Sequence, residues 1–244
     1  MQKKLSTDFQ KDIEKKREEY FTNSVGSLSD KLNSLSRFKS RQNFAKDICY
    51  YELIKKTKNV LGDIFECGVY FGNSIMNYAN FLVSLEPYNY QCKVVGFDTF
   101  KGGTGVSDKD INNYSFKRED GEYYADSYED LKKSIEIFNY DRPINNLEKI
   151  KLVKGDIRKS SIKYLKDNPQ TIIRILNMTM NYYEPTLEAL KQFYPRVSKG
   201  GIVVINGLNY ASGATVALDE YIGIKNIELK TFDFYSNVTY FIKK

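Results

Sequence analysis

The chain has 244 residues, 41% apolar and 28% charged, with a formal net charge of +6 and no histidine; this is the balance of a soluble globular protein, read as one α/β domain with a helical extension. Without histidine, Ser-His-Asp and Cys-His catalysis, the usual zinc sites and the commonest general base near neutral pH are excluded. Three cysteines (Cys49, Cys67, Cys92) with no C-x-x-C pair support neither a disulfide framework nor a zinc knuckle, and Cys67 and Cys92 read as small buried hydrophobes.

Residues 5–60 read as helices, broken near Asn23–Ser27 and again around Ser34–Ser40. This stretch holds 14 Lys/Arg against 8 Asp/Glu, while the remaining 184 residues hold 23 of each. All of the excess charge is therefore here, where Lys15, Lys16, Arg17, Lys55, Lys56 and Lys58 read as a solvated face or as a surface for an anionic partner. No motif for a nucleic acid appears, and no nucleic-acid partner is expected. Phe44, Ile48, Tyr51, Leu53 and Ile54 show helical spacing, an amphipathic helix that packs onto the domain behind it. Residues 1–60 are accordingly expected as a helical extension and 61–244 as the main domain. No apolar run approaches the roughly 20 residues that span a bilayer, and Met1–Asp8 lacks the apolar core of a secretion signal, so a cytoplasmic protein with no membrane span is expected.

From residue 63 onward strand and helix patterns alternate, the signature of a parallel sheet covered on both faces. Strands are predicted over Asp63–Tyr70, Lys93–Phe97, Ile150–Lys154, Ile172–Met178, Gly201–Ile205, Ile227–Phe232 and Val238–Ile242. Helices are predicted over Ser74–Leu85, Tyr128–Phe138, Pro185–Tyr194 and Gly213–Ile222. In the first of these Ile75, Met76, Ala79 and Leu82 form one stripe, with Asn73 or Ser74 as cap, and Pro185 suits a first helical turn. The last two strands, separated by Tyr235-Ser236-Asn237, read as a hairpin that inserts the final strand antiparallel. Residues 101–127 are polar, rich in glycine, aspartate and tyrosine, and read as a lid.

The first strand ends in Glu66-Cys67-Gly68-Val69-Tyr70-Phe71-Gly72-Asn73-Ser74 and runs straight into a helix; the second, Val94-Val95-Gly96-Phe97, ends in Asp98. Strand, Gly-x-x-x-Gly turn, helix, strand and acidic terminus are the parts of a site for an adenosine-bearing cofactor at the carboxyl edge of a parallel sheet. The spacing is not the G-x-G-x-x-G that seats a pyrophosphate. A cofactor without phosphates needs close backbone approach and a carboxylate for a ribose or an amine, which Glu66 and Asp98 supply. Asp156, closing the third strand, reads either as a partner of an adenine amino group or as a helix or turn cap.

Gly62–Ser74, Gly96-Phe97-Asp98-Thr99-Phe100, Leu152-Val153-Lys154-Gly155-Asp156, Tyr183-Glu184-Pro185-Thr186 and Pro195–Gly201 together resemble the macrocin-O-methyltransferase (TylF/MycF) family, in the same order from about residue 40 to the end. The resemblance implies a Rossmann-like class I methyltransferase fold: a seven-stranded, mostly parallel sheet with an antiparallel last strand, plus the amino-terminal helices. It implies S-adenosyl-L-methionine as cofactor, held by Glu66, Gly68, Tyr70, Gly72, Asn73, Ser74, Asp98, Thr99, Asp156 and Ile157. It further implies amino-terminal helices that shape the acceptor pocket and a homo-oligomer, and a small sugar acceptor.

In that family acids at the ends of the fourth and fifth strands hold a magnesium ion; by position these fall on Thr179, Asn181, Asn206 and Gly207, none of them acidic. Mg²⁺ prefers carboxylates, so no metal is expected, and Thr179, Asn181 and Asn206 are left to orient the acceptor. Deprotonating a sugar hydroxyl normally needs a metal or a base. Either a carboxylate or tyrosine serves, or, as the sharper of the two readings, the acceptor oxygen is already anionic and needs no base, a phosphate, phosphoramidate or carboxylate steadied by Lys101, Arg118 or Arg142 and oriented by Asn181 and Asn206. Tyr182, Tyr183 and Tyr210 fall near the same strand ends, as stacking or as packing residues. A non-catalytic, cofactor-binding scaffold is the second reading, and a nicotinamide dehydrogenase, with its different glycine spacing, the third.

Overall fold

The computed structural model describes residues 7–111, 119–209 and 212–244. The chain divides into two compact units, Met1–Lys46 and Asp47–Lys244. In the first, α1 (Asp8–Asn23) and α2 (Leu28–Asn33) both open on capping boxes: the side chains of Thr7 and Ser27 accept from the amides of Gln10 and Asp30, whose own side chains accept in return from the cap amides. At the other end of α1 the buried Lys31 ammonium donates to the carbonyls of Phe21 and Thr22 at 2.6 and 3.1 Å, a cation placed at the negative end of the helix dipole. Phe38 packs on Tyr20 and Phe21. The division between the units falls inside α3 (Arg41–Lys56).

The second unit is a seven-stranded sheet in the order β3-β2-β1-β4-β5-β7-β6, with β1 Asp63–Cys67, β2 Val94–Asp98, β3 Ile150–Lys154, β4 Ile173–Met178, β5 Val197–Asn206, β6 Lys230–Phe232 and β7 Tyr235–Ile242. β1 pairs parallel with β2 and β4, β2 with β3, and β4 with β5. β7 runs antiparallel between β5 and β6, so the expected mostly parallel sheet with an antiparallel last strand is what forms. The strand order reverses between β1 and β4, the switch point where such sheets open a crevice at their carboxyl edge.

Side chains alternate across the strands, and the two faces build separate cores. On one, Ile64, Val94, Ile175 and Val204 pack with Tyr50, Leu53 and Ile54 of α3 and Ile75, Tyr78 and Leu82 of α4 (Asn73–Leu85). On the other, Phe65, Phe97, Leu176 and Val203 pack with α6 (Ile157–Asp167), α7 (Tyr183–Phe193) and α8 (Ser212–Tyr221). α5 (Tyr128–Tyr140) joins the first face through Leu131 and Phe138. All three cysteines are buried; burial pushes the Cys67 thiol well up and that of Cys92 up to about 12, which leaves both as hydrophobes.

Several boundaries differ from the sequence reading. β1 stops at Cys67 instead of Tyr70, because Gly68 and Tyr70 take positive φ of 99° and 55° and leave the extended region. The predicted strand 227–232 keeps only Lys230–Phe232, which follows a 3-10 turn at Ile224–Asn226. Helix α6 lies where no helix was predicted; its lysines and Arg158 mask a narrow inward stripe of Ile157, Ser161 and Tyr164. The cap position of α4 is Gly72, which has no side chain to cap it: Ser74, expected as a cap, donates to Glu66 instead.

Candidate functional site

The turn from β1 into α4 is the best-defined part of the carboxyl edge. Gly68, Tyr70 and Gly72 all take positive φ, and a Cβ at Gly68 would run into the Thr179 hydroxyl, one at Gly72 into Leu131 of α5. Only glycine satisfies both demands. Tyr70 is the strained member, at a cost of about 1–3 kcal/mol for a non-glycine residue held there. Asp98, at the end of β2, holds it: one carboxylate oxygen accepts from the amides of Val69 and Tyr70 at 2.7 and 2.9 Å, the other from Phe100 at 2.7 Å. Successive amides converging on one anion form a nest. The Thr99 hydroxyl stands 3.5 Å from the second oxygen but gives its one proton to the Gly102 carbonyl at 2.6 Å, so of roughly four lone-pair positions Asp98 keeps one for a further donor. Ser127 closes the same turn by donating to the Tyr70 carbonyl at 2.5 Å.

The other expected cofactor contacts divide. Glu66 does not stand open at the edge: it is 0% exposed, and its two oxygens accept from Ser74, at 2.7 Å, and from Asn177 of β4. Strand alternation is the reason, since residue 66 shares the inward face of Ile64 beneath α4. Asn73 is exposed at the start of α4, and its carbonyl accepts from Asn77. Thr99 donates to the Gly102 carbonyl at 2.6 Å. For Asp156 the cap reading is the observed one: it accepts from the Arg158 amide, and the Arg158 guanidinium covers both of its oxygens, Nε at 3.0 Å from each. That hydrogen bond holds the Asp156 carboxyl below its ordinary range. Ile157 turns its side chain into the core.

At the ends of β4 and β5 the Thr179 hydroxyl is committed to the carbonyls of Cys67 and Gly68, at 3.1 and 2.7 Å. Asn181 is half-buried on the turn that follows. Asn206 carries a buried side-chain oxygen with no partner among the described residues. Tyr182 donates to the Glu119 carbonyl at 3.2 Å and lies 3.3 Å from Glu122, and Tyr183 donates to Glu220 at 2.5 Å; both tyrosines are buried packing residues with satisfied hydroxyls. Among the described residues no group of three or more His, Cys, Asp or Glu could hold a metal ion.

Of the cations expected near the lid, Lys101 is exposed. Arg142 belongs elsewhere: it is buried after α5, donating to the carbonyls of Pro143, Ile144 and Leu147 and to Asn139. Arg118 and Tyr210 lie outside the described residues. The loop after β2 is tied at its neck, where Gly103 donates to the Glu122 carbonyl and Gly121 to that of Gly103 at 2.7 and 2.8 Å. Sequence reasoning missed Arg158, whose guanidinium lies against Gly105 of this loop, and Asp110, which the loop presents to α7. The pattern Ser107-x-x-Asp110, a capping box within a polar loop, was the available signal.

The model of the macrocin-O-methyltransferase (TylF) family matches residues 41–243. Among solved structures, the chain is similar to the calicheamicin methyltransferase CalS11, with 25% identity over 97% of this chain and 93% of that one and a TM-score of 0.90. An apo structure of CalS11, described as a TDP-rhamnose 3'-O-methyltransferase, gives 24% identity, 97% and 95% coverage and 0.82. The O-methyltransferase NovP gives 20% identity, 82% and 79% coverage and 0.62. No curated protein matches the chain.

Proposed function

This chain belongs to the macrocin-O-methyltransferase (TylF) family, and from that premise we propose that it methylates a hydroxyl of a sugar or sugar-linked small molecule without a metal ion. Membership makes it an S-adenosylmethionine-dependent methyltransferase. The family's own macrocin chemistry, and the likeness at 25% identity to a calicheamicin methyltransferase, support the acceptor class.

The residues present suit an adenosyl group without phosphates. Asp98 keeps a lone pair beside a turn whose backbone is bare at Gly68 and Gly72, and the G-x-G-x-x-G seat for a pyrophosphate is absent. S-adenosylmethionine, when bound, supplies an electrophilic methyl group on a sulfonium leaving group. The chain's part is then to hold the nucleoside against Asp98, keep the turn in its strained shape and align an oxygen at the ends of β4 and β5.

The observation that carries the metal-free reading is the donor set at those ends. Thr179 has its hydroxyl committed to two backbone carbonyls, and Asn181 and Asn206 offer neutral amides where Mg²⁺ would want carboxylates. The magnesium ion expected from the family does not fit. The neutral hydroxyl is taken as the acceptor because the buried Asn206 side-chain oxygen has no donor among the described residues, and a hydroxyl would bring one. Arg142, one of the three cations expected from the sequence to steady an anion, is spent on backbone carbonyls.

Incubation with methyl-labelled cofactor and a panel of neutral and acidic sugar derivatives, with and without excess chelator, tests this. The expected outcome is label on a neutral sugar hydroxyl at a rate changed less than about twofold by the chelator, since no metal step is removed. Activity lost to chelator and restored by Mg²⁺ overturns the metal-free reading. Transfer to acidic derivatives alone overturns the hydroxyl, and cofactor binding without transfer to any acceptor points to a binding role.

A further inference from the structure

We infer that Asp110, carried by the loop after β2, is a positioning residue for the acceptor: it sets the turn between β4 and α7, on which Thr179 and Asn181 sit. The inference rests on the acceptor reading just given. Asp110 is 3% exposed. One of its oxygens accepts from the Tyr183 amide at 2.8 Å, the other from the amide and hydroxyl of Ser107, both at 2.9 Å.

Tyr183 is the first residue of α7, and its amide has no partner within the helix. Tyr182, at the cap position, makes no capping bond with its side chain. A serine or aspartate there would have capped the helix locally; instead the anion arrives from a loop 73 residues earlier in the chain. The turn is thus held at both ends, by Thr179 on the carbonyls of β1 and the glycine turn and by Asp110 on Tyr183. Asn181 lies between these two points.

Two further contacts lead to the same place. Gly213 of α8 leaves the space that Asp110 occupies, since a Cβ there would run into the Asp110 carboxylate and come within 2.6 Å of the Tyr183 amide nitrogen. Beside it Lys109 donates to Tyr183 at 2.9 Å and to Glu220 at 2.6 Å and lies 4.0 Å from the Tyr183 ring centroid, while Ser212 donates to the Lys109 carbonyl at 2.8 Å. Loop, α7 and α8 therefore meet at one carboxylate.

The test compares Asp110→Ala, Gly213→Ala and the double variant in the full chain. Gly213→Ala keeps the carboxylate but displaces it, so it reports on position separately from charge. Each single change is expected to speed amide hydrogen exchange in the peptide covering 179–186 by about tenfold or more, the signature of a lost local hydrogen bond. Each is also expected to lower kcat/KM for the acceptor about tenfold, with cofactor Kd within about twofold of the parent. Because both act at the contact between Asp110 and Tyr183, and the added methyl meets the Tyr183 amide nitrogen with or without the carboxylate, the double variant should cost no more than Gly213→Ala alone. Parent-like exchange and kinetics in Asp110→Ala overturn the inference, as does an equal loss of cofactor affinity with faster exchange throughout the sheet. If the parent transfers methyl to no acceptor, the sugar reading fails, and the exchange arm still decides for or against Asp110.

Discussion

Replacing Asp98 with alanine should weaken binding of S-adenosylmethionine and of S-adenosylhomocysteine at least about a hundredfold, or about 2.7 kcal/mol, as read by calorimetry. Two losses combine. The carboxylate no longer offers its remaining lone pair to a ribose, and it releases three backbone amides, at Val69, Tyr70 and Phe100. Hydrogen bonds to a charged group contribute roughly 1.5–3 kcal/mol each, against the strain of about 1–3 kcal/mol stored where Tyr70 adopts a φ of 55°. Without that anchor the turn relaxes and the nucleoside loses its seat. The 2'-deoxy form of S-adenosylhomocysteine separates the two effects: a direct ribose contact makes the deoxy compound weaker against the parent protein, with little further penalty in Asp98→Ala. Parent-like affinity in Asp98→Ala would show that this acid has no part in the cofactor site.

Arg174→Ala should lower stability by about 3–5 kcal/mol, a fall of roughly 10 °C in Tm for a domain of this size. Arg174, 1% exposed, lies on β4, and its guanidinium grips both oxygens of Glu86, at 2.9 and 3.1 Å. Removing the cation leaves the Glu86 carboxylate, on a side chain 9% exposed, with Asn89 as its remaining hydrogen-bond partner among the described residues. Replacing both partners with methionine should recover most of the loss, because the cost lies in the stranded charge more than in the bond itself. Burial by itself would raise the Glu86 carboxyl, but the hydrogen bonds from Arg174 and Asn89 and the charges of Arg174 and Lys149 hold it below its ordinary value of 4.5. A group lowered in the folded state contributes in full above its unfolded pKa and loses that contribution as pH falls through the folded one. Acid unfolding of the parent should therefore carry a component that Arg174→Ala lacks. A destabilisation under about 1 kcal/mol would place the pair in the class of solvated surface ion pairs.

Local pattern was enough to reveal the sheet, its antiparallel last strand and the glycine turn that follows β1. Short, nearly continuous apolar runs bounded by turn residues report strands covered on both faces, and Gly68 and Gly72 reveal themselves because no other residue meets their backbone and their neighbours at once. The absence of histidine pointed away from imidazole chemistry, and the family resemblance, which sets neutral Thr179, Asn181 and Asn206 where that family has acids, pointed away from a metal. Packing decided what each polar side chain does. Glu66 follows strand alternation beneath α4, where Ser74 and Asn177 take both oxygens; Asp156 is taken by Arg158 only because α6 forms there; Arg142 folds back onto its own loop. Asp110 finds the amide of Tyr183 across 73 residues of chain. Periodicity and caps are short-range and leave their mark in neighbouring letters, whereas the partner of a carboxylate depends on which distant elements the finished core brings within 3 Å of it.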